Sequence, residues 1–176
     1  MKKTKNNKAI FVDRMGFTLL EVLLYVGIFG ILILSISGFF SLIINSRIKG
    51  QVIMEVQDQG AYLVNFITQK IRNAEGITSP TIGLSDTSLS LDVTNINDDP
   101  TIFNVSGDVL YVTEGAESPV NLTNSRVLIS GVNFNNVSLV NSPGLISFQF
   151  TLSHVNSEGR QEYEYTKTFY GSAGIR

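Results

Sequence analysis

The chain reads as an α+β protein: a long N-terminal helix, half membrane-type and half amphipathic, packed on an antiparallel β-sheet. Three observations predict this. An almost unbroken apolar run occupies residues 17–44. No proline occurs between Phe17 and Ser79, so one helix can run on past that segment. Beyond Pro80 the composition changes to threonine, serine, asparagine, valine and phenylalanine, with turn signals at short intervals. At 176 residues the chain suits one anchoring helix and one small domain.

The first element is basic. Residues 1–16 carry Lys2, Lys3, Lys5, Lys8 and Arg14 against Asp13, whereas the whole chain has a formal net charge of −2, so the remainder is acidic. A basic stretch before an apolar helix stays cytoplasmic, which places the following residues outside. The acidic remainder has no basic stripe that would point to nucleic acid. There is no cysteine, hence no disulfide framework and no thiolate metal site.

The second element opens on Gly16-Phe17-Thr18-Leu19-Leu20-Glu21. From Val22 to Leu34 every residue is apolar, glycine or Tyr25, and the run continues to Ile44 broken only by Ser35, Ser37 and Ser41. Residues 17–44 exceed the ~20 that a spanning helix requires. A carboxylate at the mouth of such a helix is costly to insert, so Glu21 reads as functional, with a partner to be named. After the apolar run, Ile53, Val56, Leu63, Ile67 and Ile71 fall on one helical face, with Gln51, Gln57, Asp58, Gln59, Gln69, Lys70 and Arg72 around it. The helix is expected over residues 17–74, with Gly76 as its C′ residue and Pro80 beyond. Glycines at 27, 30, 38, 50 and 60 read as points of close helix–helix approach rather than of melting.

Strands follow. Residues 89–93 alternate as a half-buried strand. Residues 102–105 and 109–112 form a hairpin about Ser106-Gly107-Asp108. Residues 127–134 form a strand with Gly131 as a bulge candidate. Residues 145–155 place Ile146, Phe148, Phe150 and Leu152 on one face, then turn through Asn156-Ser157-Glu158-Gly159 into a strand over 161–170. That strand is expected to align Tyr163, Tyr165, Lys167 and Phe169.

Glycine, phenylalanine and glutamate in this register at the head of a hydrophobic helix resemble the cleavage and methylation segment of type IV pilins and pseudopilins. The order of long helix and then antiparallel strands is also that family's. Weaker similarity to minor pilins and J-type minor pseudopilins lies in Ile71-Arg72-Asn73-Ala74, residues 122–134 and residues 145–169. The resemblance implies cleavage between Gly16 and Phe17 by a prepilin peptidase, N-methylation of the freed Phe17 amine, and a filament in which Glu21 pairs with that amine on its own or a neighbouring subunit. Implied partners are the prepilin peptidase/methyltransferase, other pilin or pseudopilin subunits, an inner-membrane assembly platform and membrane lipid. The divisions expected are a basic leader at 1–16, a transmembrane or filament-core helix at 17–44, its amphipathic continuation at 45–76 and an exported β-rich domain at 77–176. The family's C-terminal disulfide pair is absent, which argues against the disulfide-looped type IVa major pilins.

Two other readings of the N-terminus stay open. One is an ordinary signal peptide, with Ser35-Ile36-Ser37 supplying the small residues at the cut. The other is an uncleaved anchor; either would carry an exported β-rich binding module. Catalysis is not expected. His154 is the only histidine and reads as a solvent-facing strand residue, and no pair among Asp92, Asp98, Asp99 and Glu114 is placed by spacing. Asn95, Asn97, Asp98 and Asp99 could ligate calcium but are explained as turn residues, so no metal or other cofactor is called. Asn104, Asn121 and Asn136 begin N-x-Ser/Thr triplets, which arise often by chance in so asparagine-rich a chain. Phe148, Phe150, Tyr163, Tyr165 and Phe169 read as sheet core and cross-strand pairs.

Overall fold

A computed structural model describes residues 16–176. The basic leader expected over 1–16 lies outside the described residues apart from Gly16. One helix, α1, spans Leu19–Arg72, and the chain divides into two compact units, Met1–Ile43 and Ile44–Arg176.

The first unit holds the N-terminal part of α1, whose apolar side chains from Leu19 to Phe40 are mostly exposed. Two of its serines bond back into the helix: Ser35 Oγ donates to the Ile31 carbonyl at 2.9 Å and Ser41 Oγ to that of Ser37 at 3.2 Å, an arrangement that satisfies those two hydroxyls without water.

In the second unit α1 buries Val52, Val56, Gly60, Leu63, Ile67 and Ile71. Spacings of four, four, three, four and four follow the helical period, so the stripe begins at Val52 and not, as expected, at Ile53, which is half-buried. The helix stops at Arg72, short of the expected residue 74. Gly76 is not its C′ residue. It opens strand β1 (Gly76–Ser79) and faces Asp92 across the ladder.

The strands form two antiparallel sheets where one was expected. The first sheet has the order β1, β3 (Leu89–Asp92), β4 (Thr101–Ser106), β5 (Val109–Glu114), β6 (Val120–Asn121). The second has the order β2 (Ser85–Asp86), β7 (Val127–Asn136), β8 (Leu145–His154), β9 (Thr166–Gly174). The β4–β5 turn holds Gly107 at φ +61°, and the next carbonyl, Asp108, accepts the Ile129 N–H of β7 at 2.9 Å, which ties the sheets together. The expected bulge is present: Gly131, at φ +58°, and Val132 occupy the register gap between the Ser130–Thr151 and Asn133–Gln149 pairs. The expected strand over 161–170 is corrected. Gln161–Tyr163 is a short 3-10 turn, and β9 begins at Thr166 and runs on to Gly174.

Both sheets contribute to one core beside α1. Ring contacts run from Phe66 of α1 to Phe103 of β4 (6.2 Å), on to Phe134 of β7 (6.4 Å) and then to Phe148 of β8 (6.3 Å). Aromatic pairs at such spacings add to the area they bury. Ile146, Phe148, Phe150 and Leu152 are all buried, as their alternation predicts.

Candidate assembly segment

Gly16, Phe17 and Thr18 precede the first turn of α1 in non-helical backbone. Among the described residues a Cβ placed on Gly16 would meet nothing within 4 Å. Thr18 begins the helix. Its Oγ1 accepts the Glu21 N–H at 3.2 Å, and its carbonyl accepts the N–H groups of Glu21 and Val22 at 3.1 and 3.2 Å. Threonine followed three residues later by glutamate is the capping-box spacing, a signal the sequence reading passed over. Here only half of the box forms, because the Glu21 carboxylate turns the other way.

That carboxylate accepts a long hydrogen bond from Tyr25 Oη, 3.4 Å from Glu21 Oε1. The Tyr25 ring in turn meets the Phe17 ring edge to face, centroids 6.4 Å apart and planes at 75°. Glu21 and Tyr25 are four residues apart in α1, so helical geometry puts them on one face, and the ring of Phe17, just ahead of the helix, packs against Tyr25 of that face. Glu21 is half-buried by its neighbours, while Phe17 is 73% exposed. An acidic side chain in the first turn also suits the positive end of the helix dipole. The structure therefore joins Phe17 and Glu21 through Tyr25, with Gly16 adjacent in sequence only; the sequence reading treated Tyr25 only as part of the apolar run. Its spacing of four from Glu21 was the available signal.

Among the described residues one helix, α1, is long and apolar enough to cross a membrane, and its most apolar stretch buries nothing inside this chain. A Cβ on Gly27, Gly30 or Gly38 would likewise meet nothing within 4 Å. Among the described residues that face has no neighbour within the first unit.

The remaining candidates have local explanations. His154 is half-buried, with Nδ1 2.8 Å from the Val155 carbonyl and its ring stacked on Tyr163 at 5.8 Å. It lines a groove of about 650 Å³ with Glu55, Asp58, Arg126 and Tyr163, so the solvent-facing expectation is only partly met. Within that groove Glu55 is engaged by Asn124 and lies 3.6 Å from Arg126. In the asparagine-rich loop, Asn95 Nδ2 donates to Asp98 (2.7 Å), Asn97 N to Asn95 Oδ1 (3.2 Å) and Val93 N to Asp99 Oδ1 (3.2 Å). These are turn contacts. Asp99 lies close enough to Asp92 that its charge, with that of Glu75, raises the Asp92 carboxyl above its ordinary range. Glu114 pairs with Lys70 of α1. Asn136 is buried, donates to the Pro80 carbonyl at 2.7 Å and accepts from Ser138, whereas Asn104 is exposed.

Comparison with protein-family models, with curated proteins and with solved structures finds no match to this chain.

Proposed function

We propose that this chain is a structural subunit of a type IV pilus or type II secretion-like pseudopilus, of the minor pilin or J-type minor pseudopilin kind, and not an enzyme. The observation that carries the reading is the register of Gly16, Phe17 and Glu21 about a Thr18 cap, at the head of a helix whose most apolar stretch buries no residue within the chain. A Gly16–Phe17 bond in non-helical backbone just before the helix suits a peptidase that cuts between them. The freed, N-methylated amine of Phe17 is then a cation one turn from the Glu21 carboxylate. In a core of stacked apolar helices a lone carboxylate is costly, so pairing Glu21 with the amine of a neighbour sets the axial register between subunits. The bare faces at Gly27, Gly30 and Gly38 suit close helix approach in that core. A long helix whose later half packs on antiparallel strands agrees with the pilin arrangement. In this reading the chain sits in the inner or cytoplasmic membrane with its N-terminus inside until an assembly platform extracts it.

The test is the N-terminal sequence and intact mass of the protein purified from its native membranes. A chain beginning at N-methylated Phe17 supports the proposal, and Glu21→Ala should then block incorporation into sheared filaments. An uncut chain, or one beginning at Gly38, would replace it with an anchored or secreted β-rich binding module.

A further inference from the structure

Four strand edges are open in the two sheets, and three of them are blunted. The β2 and β6 edges are two residues long. The β1 edge is four residues long, carries a register shift between Ile77 and Ser79, and runs into Pro80. These are the ordinary protections against adding a strand. The β9 edge has none of them. It is nine residues long, contains no proline, and pairs with β8 in unbroken register from Thr166 to Gly174.

The ladder identifies which backbone groups face outward. His154 N donates to the Tyr165 carbonyl at 3.0 Å, and Ile175 N donates to the Gly144 carbonyl at 2.8 Å. Antiparallel hydrogen-bonded pairs recur every second residue. Both ends of the β8–β9 ladder therefore give the same parity: Lys167, Phe169, Gly171 and Ala173 bond to β8. Thr166, Thr168, Tyr170, Ser172 and Gly174 turn their N–H and C=O groups away from it. Among the described residues none of these five backbone groups has a loop or side-chain partner. The side chains of Thr166, Thr168, Tyr170 and Ser172 are exposed, Tyr170 at 70%. The one charge on the strand, Lys167, lies on the opposite face, with Nζ 5.2 Å from the centre of the Phe169 ring.

We propose that the β9 edge is a strand-addition site for an extended, outwardly uncharged segment of a different polypeptide, with an acidic residue placed opposite Lys167. Main-chain pairing supplies the binding and alternate side chains the selectivity. A second copy of this chain fits the edge on hydrogen bonding alone, since antiparallel pairing about Tyr170 matches every outward group. It would place Ala173 opposite Lys167, however, and leave the one charge on the strand without a counter-charge, which a segment with an acidic residue at that position supplies. Strand addition does not depend on the N-terminal processing or on Glu21.

The experiment is amide-resolved hydrogen exchange on the full chain in bilayer discs. The probes are two synthetic peptides: the sequence of residues 166–174, and the same peptide with glutamate in place of its alanine, which falls opposite Lys167. Expected are fast exchange at Thr168, Tyr170 and Ser172 without peptide and about tenfold slowing with saturating peptide. The glutamate peptide should bind roughly threefold tighter. Ser172→Pro should abolish the slowing while Phe150 stays protected; should Phe150 lose protection, Thr168→Lys takes its place, with the same loss of slowing expected. Slow exchange at the outward amides before any peptide, or no slowing at millimolar peptide, would overturn the site. Disulfide cross-linking of Tyr170→Cys between two copies in one disc would overturn the choice of occupant, because position 170 faces itself in such a pair and the occupant would be a second copy.

Discussion

Gly60 of α1 lies directly under the ring of Phe169 on β9, so close that a methyl group at position 60 would overlap three ring carbons. Of the glycines in α1, Gly27, Gly30, Gly38 and Gly50 have open space where a side chain would stand, and only Gly60 is a packing glycine in this chain. Phe169 also stacks on Phe150 at 5.5 Å, so a second neighbour holds the ring.

Gly60→Ala would normally gain about 1 kcal/mol of helix propensity. Here overpacking is expected to reverse the sign and destabilise the second unit by about 1–3 kcal/mol. Urea denaturation should show it, and Phe169→Leu added to Gly60→Ala should recover most of the loss. Stabilisation by Gly60→Ala alone would mean that the ring moves freely.

Removal of one hydroxyl tests the head of the helix. Tyr25→Phe keeps the ring contact with Phe17 and deletes the donor to Glu21. The carboxyl-carbon resonance of Glu21, identified by its loss in Glu21→Gln, should shift in bilayer samples of Tyr25→Phe. An unchanged resonance would show that the 3.4 Å contact is not kept in lipid.

The Asp92 prediction concerns pH. The charge of Asp99, followed by burial and then Glu75, raises the folded-state carboxyl above its ordinary value. Between about pH 4 and the raised value the folded state binds more protons than the unfolded one, so this group's effect on stability falls as pH rises. Asp92→Asn should therefore raise Tm at pH 7 and lose that advantage below about pH 4. An equal gain at both pH values would assign the effect to something other than charge.

Asn136 joins two loops. Asn136→Ala leaves the Pro80 carbonyl and Ser138 without their partner, and about 1–3 kcal/mol of stability should be lost. The same burial, 2% exposed, predicts that in a glycosylating host the folded protein takes no glycan at Asn136, whereas Asn104 remains reachable; glycopeptide mass spectrometry distinguishes the two.

Much of this architecture was legible because its signals are local. The alternation of Ile146, Phe148, Phe150 and Leu152 and the bulge at Gly131 come from residues a few positions apart. The failures have a common cause in partners remote along the chain. Strand β6 is two residues long and exists because β5 pairs with it. Gly76 extends because Asp92 lies opposite, although as a sequence signal it resembled a helix stop. Val52 rather than Ile53 heads the buried stripe because that stripe runs through Gly60, which carries no apolar signal in the sequence.

The sequence by itself determined the apolar helix, the register of Gly16, Phe17 and Glu21, the change to strands after Pro80 and the acidic character of the later domain. Each depends on helical or strand periodicity, on composition, or on charge, which act over a few residues. Only the tertiary structure decided that the strands divide into two sheets, that Phe169 fills the space left by Gly60, and that among the described residues the outward backbone groups of β9 stay unpaired. Those outcomes depend on which distant segments close on one another and on which edge remains when the core is full, and no local pattern encodes either.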